Sequence, residues 1–203
     1  MKKVAIIGAG VIMGAQGRYS YTYTKNIVGD NGAKNLIYVP ASQDELHFKD
    51  YDYKDVNGVM QTYTAAEQAQ DFWNYVENSK YLKSRKGMYA ERNGLIGPWV
   101  NQIDFRVFQN FYIPIKNGQK NTIQVALDIR NVGNLFNKNW GHYYSVTQTG
   151  ILEKVSGYKA GSDNAPVFKF QRNGTEVLKD EFKSSIGLGS TWMMQLSLRY
   201  IFR

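Results

Sequence analysis

An apolar opening leads into Gly8-Ala9-Gly10, half of a dinucleotide-binding fingerprint. The third glycine of that pattern falls where Met13 stands, and Gly14 comes one residue late. The fingerprint also needs a helix whose N-terminus holds a pyrophosphate. The stretch after Gln16 instead interleaves Tyr19, Tyr21 and Tyr23 with Ser and Thr, which favours a strand. No cofactor is expected. Asp30-Asn31-Gly32 opens like a calcium loop but lacks the alternate oxygen ligands and the closing acid. There is no cysteine, which removes disulfides, thiolate metal sites and cysteine nucleophiles together. His47 and His142 are far apart, with no ligand spacing around either. The 17 carboxylates are scattered and give a glycosidase pair no support. With no Ser/His/Asp set either, no catalytic or metal residue is assigned and enzyme activity is not expected. Tyr51, Tyr53, Phe72, Trp73, Trp140, Tyr143 and Tyr144 offer rings for stacking on sugars or peptides. Rings serve equally to hold long loops in shape, so residue type leaves both roles open.

The elements around these residues read as strands. In the last segment Trp192, Met194, Leu196, Leu198, Tyr200 and Phe202 alternate with Met193, Gln195, Ser197 and Arg199, with Ile201 as the exception. Successive strand side chains point to opposite faces, so one face is apolar throughout. Aromatics stand at both ends of that face and aliphatics fill its middle, as on a lipid-facing strand between two headgroup boundaries. Trp99 to Ile115 repeats the scheme, with Trp99, Ile103, Phe105, Val107, Phe111, Ile113 and Ile115 against Gln102, Asp104, Arg106 and Asn110. So does Thr122 to Arg130, with Ile123, Val125, Leu127 and Ile129 against Gln124, Ala126, Asp128 and Arg130. Burying such charges in a small soluble core is costly, whereas facing a wet lumen costs little. The pattern predicts that Val125, Leu127, Leu196 and Leu198 stay uncovered by protein while Arg130 and Arg199 lie on the other side.

The fold class expected is all-β with one loop helix, built from antiparallel strands of an incomplete transmembrane β-barrel. The strands fall at about 3–24, 97–115, 121–131 and 190–202, the first running through the Tyr19/Tyr21/Tyr23 alternation. A secretory signal is the competing account of the N-terminal apolar run. The Asn117-Gly118 pair marks a hairpin. Long polar connections at about 25–96 and 132–189 suit the extracellular side of a barrel. Thr64-Ala65-Ala66-Glu67 is a capping box, followed by a helical stripe of Ala69, Phe72, Trp73 and Val76. No run approaches the roughly 20 apolar residues of a spanning helix. The net charge of +8 comes from 25 basic residues spread along the chain without a cluster. Nucleic acid is therefore not an expected partner.

Several stretches resemble one family in order and in register over residues 17–203. Asn35-Leu36-Ile37-Tyr38-Val39-Pro40, preceded by Gly29-Asp30, resembles a loop of SusC/RagA-type TonB-dependent outer-membrane transporters. Gly87-Met88-Tyr89-Ala90-Glu91-Arg92-Asn93-Gly94, then Pro98-Trp99 with Asn101 and Asp104, is similar to a second stretch of that family. Asp128-Ile129, Asn131, Gly133-Asn134-Leu135 and Trp140-Gly141 resemble a third, and Trp192, Gln195, Arg199, Tyr200 and Phe202 its last strand. Asn31 and Lys34 stand where the family carries acids, and Arg203 follows the phenylalanine that ends its chains.

The resemblance implies a barrel of about 22 strands, of which this chain supplies the last four plus two long extracellular loops. It further implies import of oligosaccharides or peptides across the cell outer membrane, with a SusD-like surface lipoprotein and TonB as partners. Four strands cannot close, so the chain is expected to be a piece of a larger transporter or a truncated reading frame, unable to transport by itself. The alternatives are a small outer-membrane glycan-binding or adhesin-type β-protein and a soluble β-sandwich enzyme.

Overall fold

The computed structural model describes residues 3–25, 34–160 and 165–202. Asp30-Asn31-Gly32, the Gly29-Asp30 start of the first motif, and Arg203 lie outside them. The chain is mostly β with antiparallel sheets, and it divides into two compact units.

The first unit, residues 1–16, 98–144 and 184–203, is built on four long strands. These are β1 (Lys3–Ala15), β2 (Trp99–Pro114), β3 (Lys120–Arg130) and β4 (Met193–Ile201). They pair antiparallel in the order β1-β2-β3-β4. The hairpin at Asn117-Gly118 forms as expected. The Ile115 amide donates to the Gln119 carbonyl at 2.8 Å, and Gly118 takes φ +75°. The register makes the alternation of each strand common to the sheet. Ala9, Phe105, Ile129 and Met194 form one row, and Gly8, Arg106, Asp128 and Gln195 the next. Gly8-x-Gly10 thus lies inside an antiparallel strand, where no helix follows to hold a pyrophosphate.

The first strand ends at Ala15, short of the expected boundary at 24. Gly17 adopts φ +107° and turns the chain. Tyr21 and Tyr23 then bury their rings in the core of the second unit, so their alternation serves that core instead of a lipid face.

The second unit comprises residues 17–97 and 145–183, the stretches expected to be loops. Helix α1 (Ala65–Asn78) begins with the expected capping box: the Glu67 amide donates to Thr64 Oγ1 at 3.3 Å, and the Thr64 amide to Glu67 Oε2 at 2.9 Å. Its buried stripe is Gln68, Phe72, Tyr75 and Val76, rotated from the expected one. Gln68 is inside because its amide is fully used. It donates to the carbonyls of Lys49 at 2.8 Å and Tyr63 at 2.9 Å and accepts from the Phe170 amide at 3.0 Å. Trp73 stays half-exposed under the Lys86 ammonium, 4.2 Å from its ring centroid.

The chain carries more than the single helix expected. Ser79 ends α1 and caps α2 (Lys80–Ser84), its hydroxyl accepting from Leu82 at 2.9 Å, and α3 (Val132–Phe136) follows β3. Five-residue helices are too short to show a period, so the sequence hides them.

Around α1 the Gly150–Ala160 and Ala165–Phe170 strands pair antiparallel, and each takes a two-residue strand parallel to it, Thr22–Tyr23 and His47–Phe48. Not all pairing is antiparallel, therefore. The core joins Tyr21, Ile37, Val39, Phe72, Tyr75, Leu82, Ile151 and Phe170. Phe72 meets Phe170 edge-on with centroids 5.4 Å apart.

Candidate functional site

The four-stranded sheet has two chemically opposed faces. On one, Leu196 and Leu198 are 74% and 76% exposed, and Trp99, Ile103, Met194, Tyr200 and Phe202 are exposed as well. Val125 and Leu127, in the middle of the sheet, are half-buried between neighbours on the same face. A soluble domain seldom leaves so large a contiguous apolar face bare. Gln109, in register with Val125, is a polar residue on this side.

The other face is concave and polar. A cavity of about 670 Å³ is lined by Asp104, Arg106, Asp128, Arg130, Gln195 and Arg199 among others. The Arg106 Nε–Asp128 Oδ1 ion pair spans β2 and β3 at 3.1 Å, and Gln124 Nε2 donates to Asn110 Oδ1 at 2.9 Å. Opposite Arg106 and Asp104, β1 presents Gly8 and Gly10; the space at Gly8 is open, and a side chain at Gly10 would touch Asp104 Cβ at 3.9 Å. Arg130 and Arg199 are therefore on the side expected of them, away from the apolar face.

The ends of the sheet carry rings. Trp99 opens β2, Trp140 lies in the turn after α3 and Trp192 precedes β4, so three of the four tryptophans gather at one end. Leu135, Phe136, Ile186 and Leu188 are exposed at that end too, outside any periodic segment. At the opposite end Tyr200 and Phe202 lie with ring centroids 6.2 Å apart.

A knot of polar groups ties the first end. Asp104 Oδ1 accepts from the Asn131 amide at 2.8 Å, holding Asn131 at φ 51°. The Asn134 side chain donates to the carbonyls of Lys138 and Trp140, both at 2.9 Å, and accepts from the Trp192 amide at 3.2 Å. Buried Gln102 donates to the Gly141 carbonyl at 2.8 Å. The residues of the third motif and of the Trp99–Asp104 stretch are thus one hydrogen-bonded assembly. It satisfies the backbone where β3 gives way to irregular chain.

The first two motifs also meet each other, inside the second unit. Tyr38 and Val39 pair antiparallel with Tyr89 and Met88, and the Ala90 amide donates to the Ile37 carbonyl at 2.8 Å. Beside this pair lies a cavity of about 760 Å³, lined by Tyr23, Tyr38, Tyr89, Phe168, Glu45 and Lys34 among others.

Most of the loop aromatics singled out from the sequence serve structure. Tyr51 and Tyr63 pack edge-on at 5.6 Å, Tyr53 covers the Arg172 guanidinium at 3.9 Å, and the Tyr143 hydroxyl donates to Gln102 Oε1 at 3.3 Å. Phe72 is core. The cavity-lining rings Tyr23, Tyr38, Tyr89 and Phe168 escape a reading by type. Their one signal is that Tyr38 and Tyr89 fall within motifs.

The titratable cluster of the second unit is inside it. The Tyr21 and Tyr75 hydroxyls are 2.7 Å apart, and Tyr21 and Ser79 both donate to Glu181 Oε1. Burial pushes the Glu181 carboxyl above its ordinary range, against the lowering effect of the Ser79 and Tyr21 hydrogen bonds. His47 lies in the second unit, whereas His142 Nδ1 in the first is 3.2 Å from Ser184 Oγ. Among the described residues no group of acids and histidines could hold a metal ion.

No protein-family model, curated protein or solved structure matches the chain.

Proposed function

We propose that this chain is the C-terminal barrel segment of a SusC-like TonB-dependent transporter of the cell outer membrane, importing oligosaccharides or peptides. The observation that carries the proposal is the bare apolar face of the four-stranded sheet, ended by rings and backed by a concave charged face. Its dimensions suit a bilayer. The ten steps from Trp192 to Phe202, at about 3.3 Å each and a tilt of about 40°, cover about 25 Å, the height of a barrel's apolar band. The charged face then lines water, where Arg106 and Asp128 need little compensation.

Among the described residues β1 and β4 each pair on one side only. In hydrocarbon every unpaired backbone group costs several kcal/mol, so the sheet requires further strands to complete a barrel. The second unit would stand outside the cell. The transporter family and its SusD-like and TonB partners are supported by the four motifs alone, which the structure resolves into compact hydrogen-bonded or paired groups.

The test exploits the absence of cysteine. Single cysteines are placed at Leu196, Ser197 and Leu198 in chain recovered from the outer-membrane fraction, and each is spin-labelled. Labels at 196 and 198 are expected to relax with dissolved oxygen, and the label at 197 with a water-soluble nickel complex. Uniform accessibility to nickel, or recovery of the chain in the soluble fraction, overturns the proposal.

A further inference from the structure

The cavity beside Tyr38 and Tyr89 belongs wholly to the second unit. Its volume of about 760 Å³ falls within the range of ligand clefts, about 300–1000 Å³. Tyr38 and Tyr89 are directly opposed on their paired strands, with ring centroids 5.4 Å apart and planes at 63°. Tyr89 is 64% exposed, so its ring is open to a ligand. Behind them Tyr23 and Phe168 stack at 5.6 Å. The polar groups stand beside these rings. Glu45 Oε2 accepts from the Tyr38 hydroxyl at 3.2 Å and the Ala41 amide at 3.0 Å, while Oε1 meets no donor among the described residues. The Lys34 ammonium makes no ion pair among them either. One carboxylate and one ammonium leave the cleft without net charge.

The backbone beside the cleft is already occupied. The Ile37 amide donates to Tyr21 and its carbonyl accepts from Ala90; the Tyr38 amide donates to the Tyr23 hydroxyl at 3.1 Å; the Val39 carbonyl accepts from Gly87. A peptide that binds by adding a strand needs a free edge, and Ile37–Val39 presents none. What the cleft offers is flat ring surface bordered by a carboxylate oxygen, an ammonium and phenol hydroxyls. A pyranose ring has the complementary shape: an apolar face of C–H bonds and an equator of hydroxyls that both donate and accept.

We propose that this cleft is a subsite for a neutral oligosaccharide, with a sugar ring stacked on Tyr89 against Tyr38 and its hydroxyls bonded to Glu45 and Lys34. This deepens the transporter assignment and rests on it for the placement of the cleft outside the cell, though not for the binding itself.

The test is isothermal titration of the full chain in detergent micelles with neutral hexasaccharides of glucose, xylose, galactose and mannose, and with hexa-alanine as the peptide probe. At least one saccharide is expected to bind. Y89A, which removes an exposed ring, is expected to weaken it at least tenfold, and E45Q severalfold. Circular dichroism of both variants should match the parent. No binding by any saccharide, unchanged affinity in Y89A, or binding of hexa-alanine in preference, each overturns the subsite. Failure here with the accessibility pattern at 196–198 intact leaves the transporter assignment standing. Saccharide binding by a chain found in the soluble fraction removes that assignment and keeps the subsite.

Discussion

Leu196→Arg separates a lipid-facing sheet from a soluble one by magnitude. Leu196, in β4, lies four residues from Trp192 and six from Phe202, which flank the strand. With about 2.5 Å of depth per residue for a tilted strand, that is about 10 Å from one aromatic boundary and about 15 Å from the other. Arginine on the lipid face near the bilayer midplane costs about 2–4 kcal/mol, a factor of about 30 to 1000 in the folding equilibrium. The same change at a side chain 74% exposed to water is worth within about 0.5 kcal/mol. The control is Gln195→Arg, at nearly the same depth but on the polar face beside the Arg106–Asp128 ion pair, where an arginine stays hydrated and costs about 0.5 kcal/mol or less. Urea titration of each variant within the barrel completed by its further strands, in phosphatidylcholine vesicles and followed by tryptophan fluorescence, gives both numbers. Equal shifts for the two variants, or a Leu196→Arg shift within 0.5 kcal/mol of zero, refute the assignment of this face to lipid.

Glu181 gives a pH signature in the second unit. Its raised carboxyl holds a proton to higher pH folded than unfolded, so the stability it confers is full below the ordinary carboxylate pKa and is lost as pH rises through the raised one. E181Q cannot ionise, and thermal melts between about pH 4 and about pH 8 should show that slope flattened; an unchanged slope puts its source elsewhere. Gly141→Ala places a Cβ 2.0 Å from Asn131 Oδ1 at a residue with φ +67°. It should destabilise the knot at the sheet end by about 2 kcal/mol or more, read as faster hydrogen exchange across residues 131–141. Phe72→Ala removes a ring packed on Phe170 in the core of the second unit and should cost about 3–5 kcal/mol by denaturant titration.

Much of the sheet is legible without coordinates because a strand's period is two and each face meets one solvent. The alternation from Trp192 to Phe202 fixed which residues share a face, and the same rule served β2 and β3 to within a few residues of their ends. The capping box at Thr64 is local in the same way, its partners lying three residues apart.

Where meaning depends on distant partners, the sequence stops. Tyr19, Tyr21 and Tyr23 alternate as a membrane strand would, and only the turn at Gly17 and the core around α1 draw them elsewhere. Gln68 looks like a solvent-facing helix residue until the Lys49, Tyr63 and Phe170 backbone is brought around it. The cleft is the strongest case: Tyr38 and Tyr89 are some fifty positions apart in sequence and become neighbours by strand pairing. Alternation is written into consecutive residues, whereas a site made by pairing exists only after the chain has returned on itself.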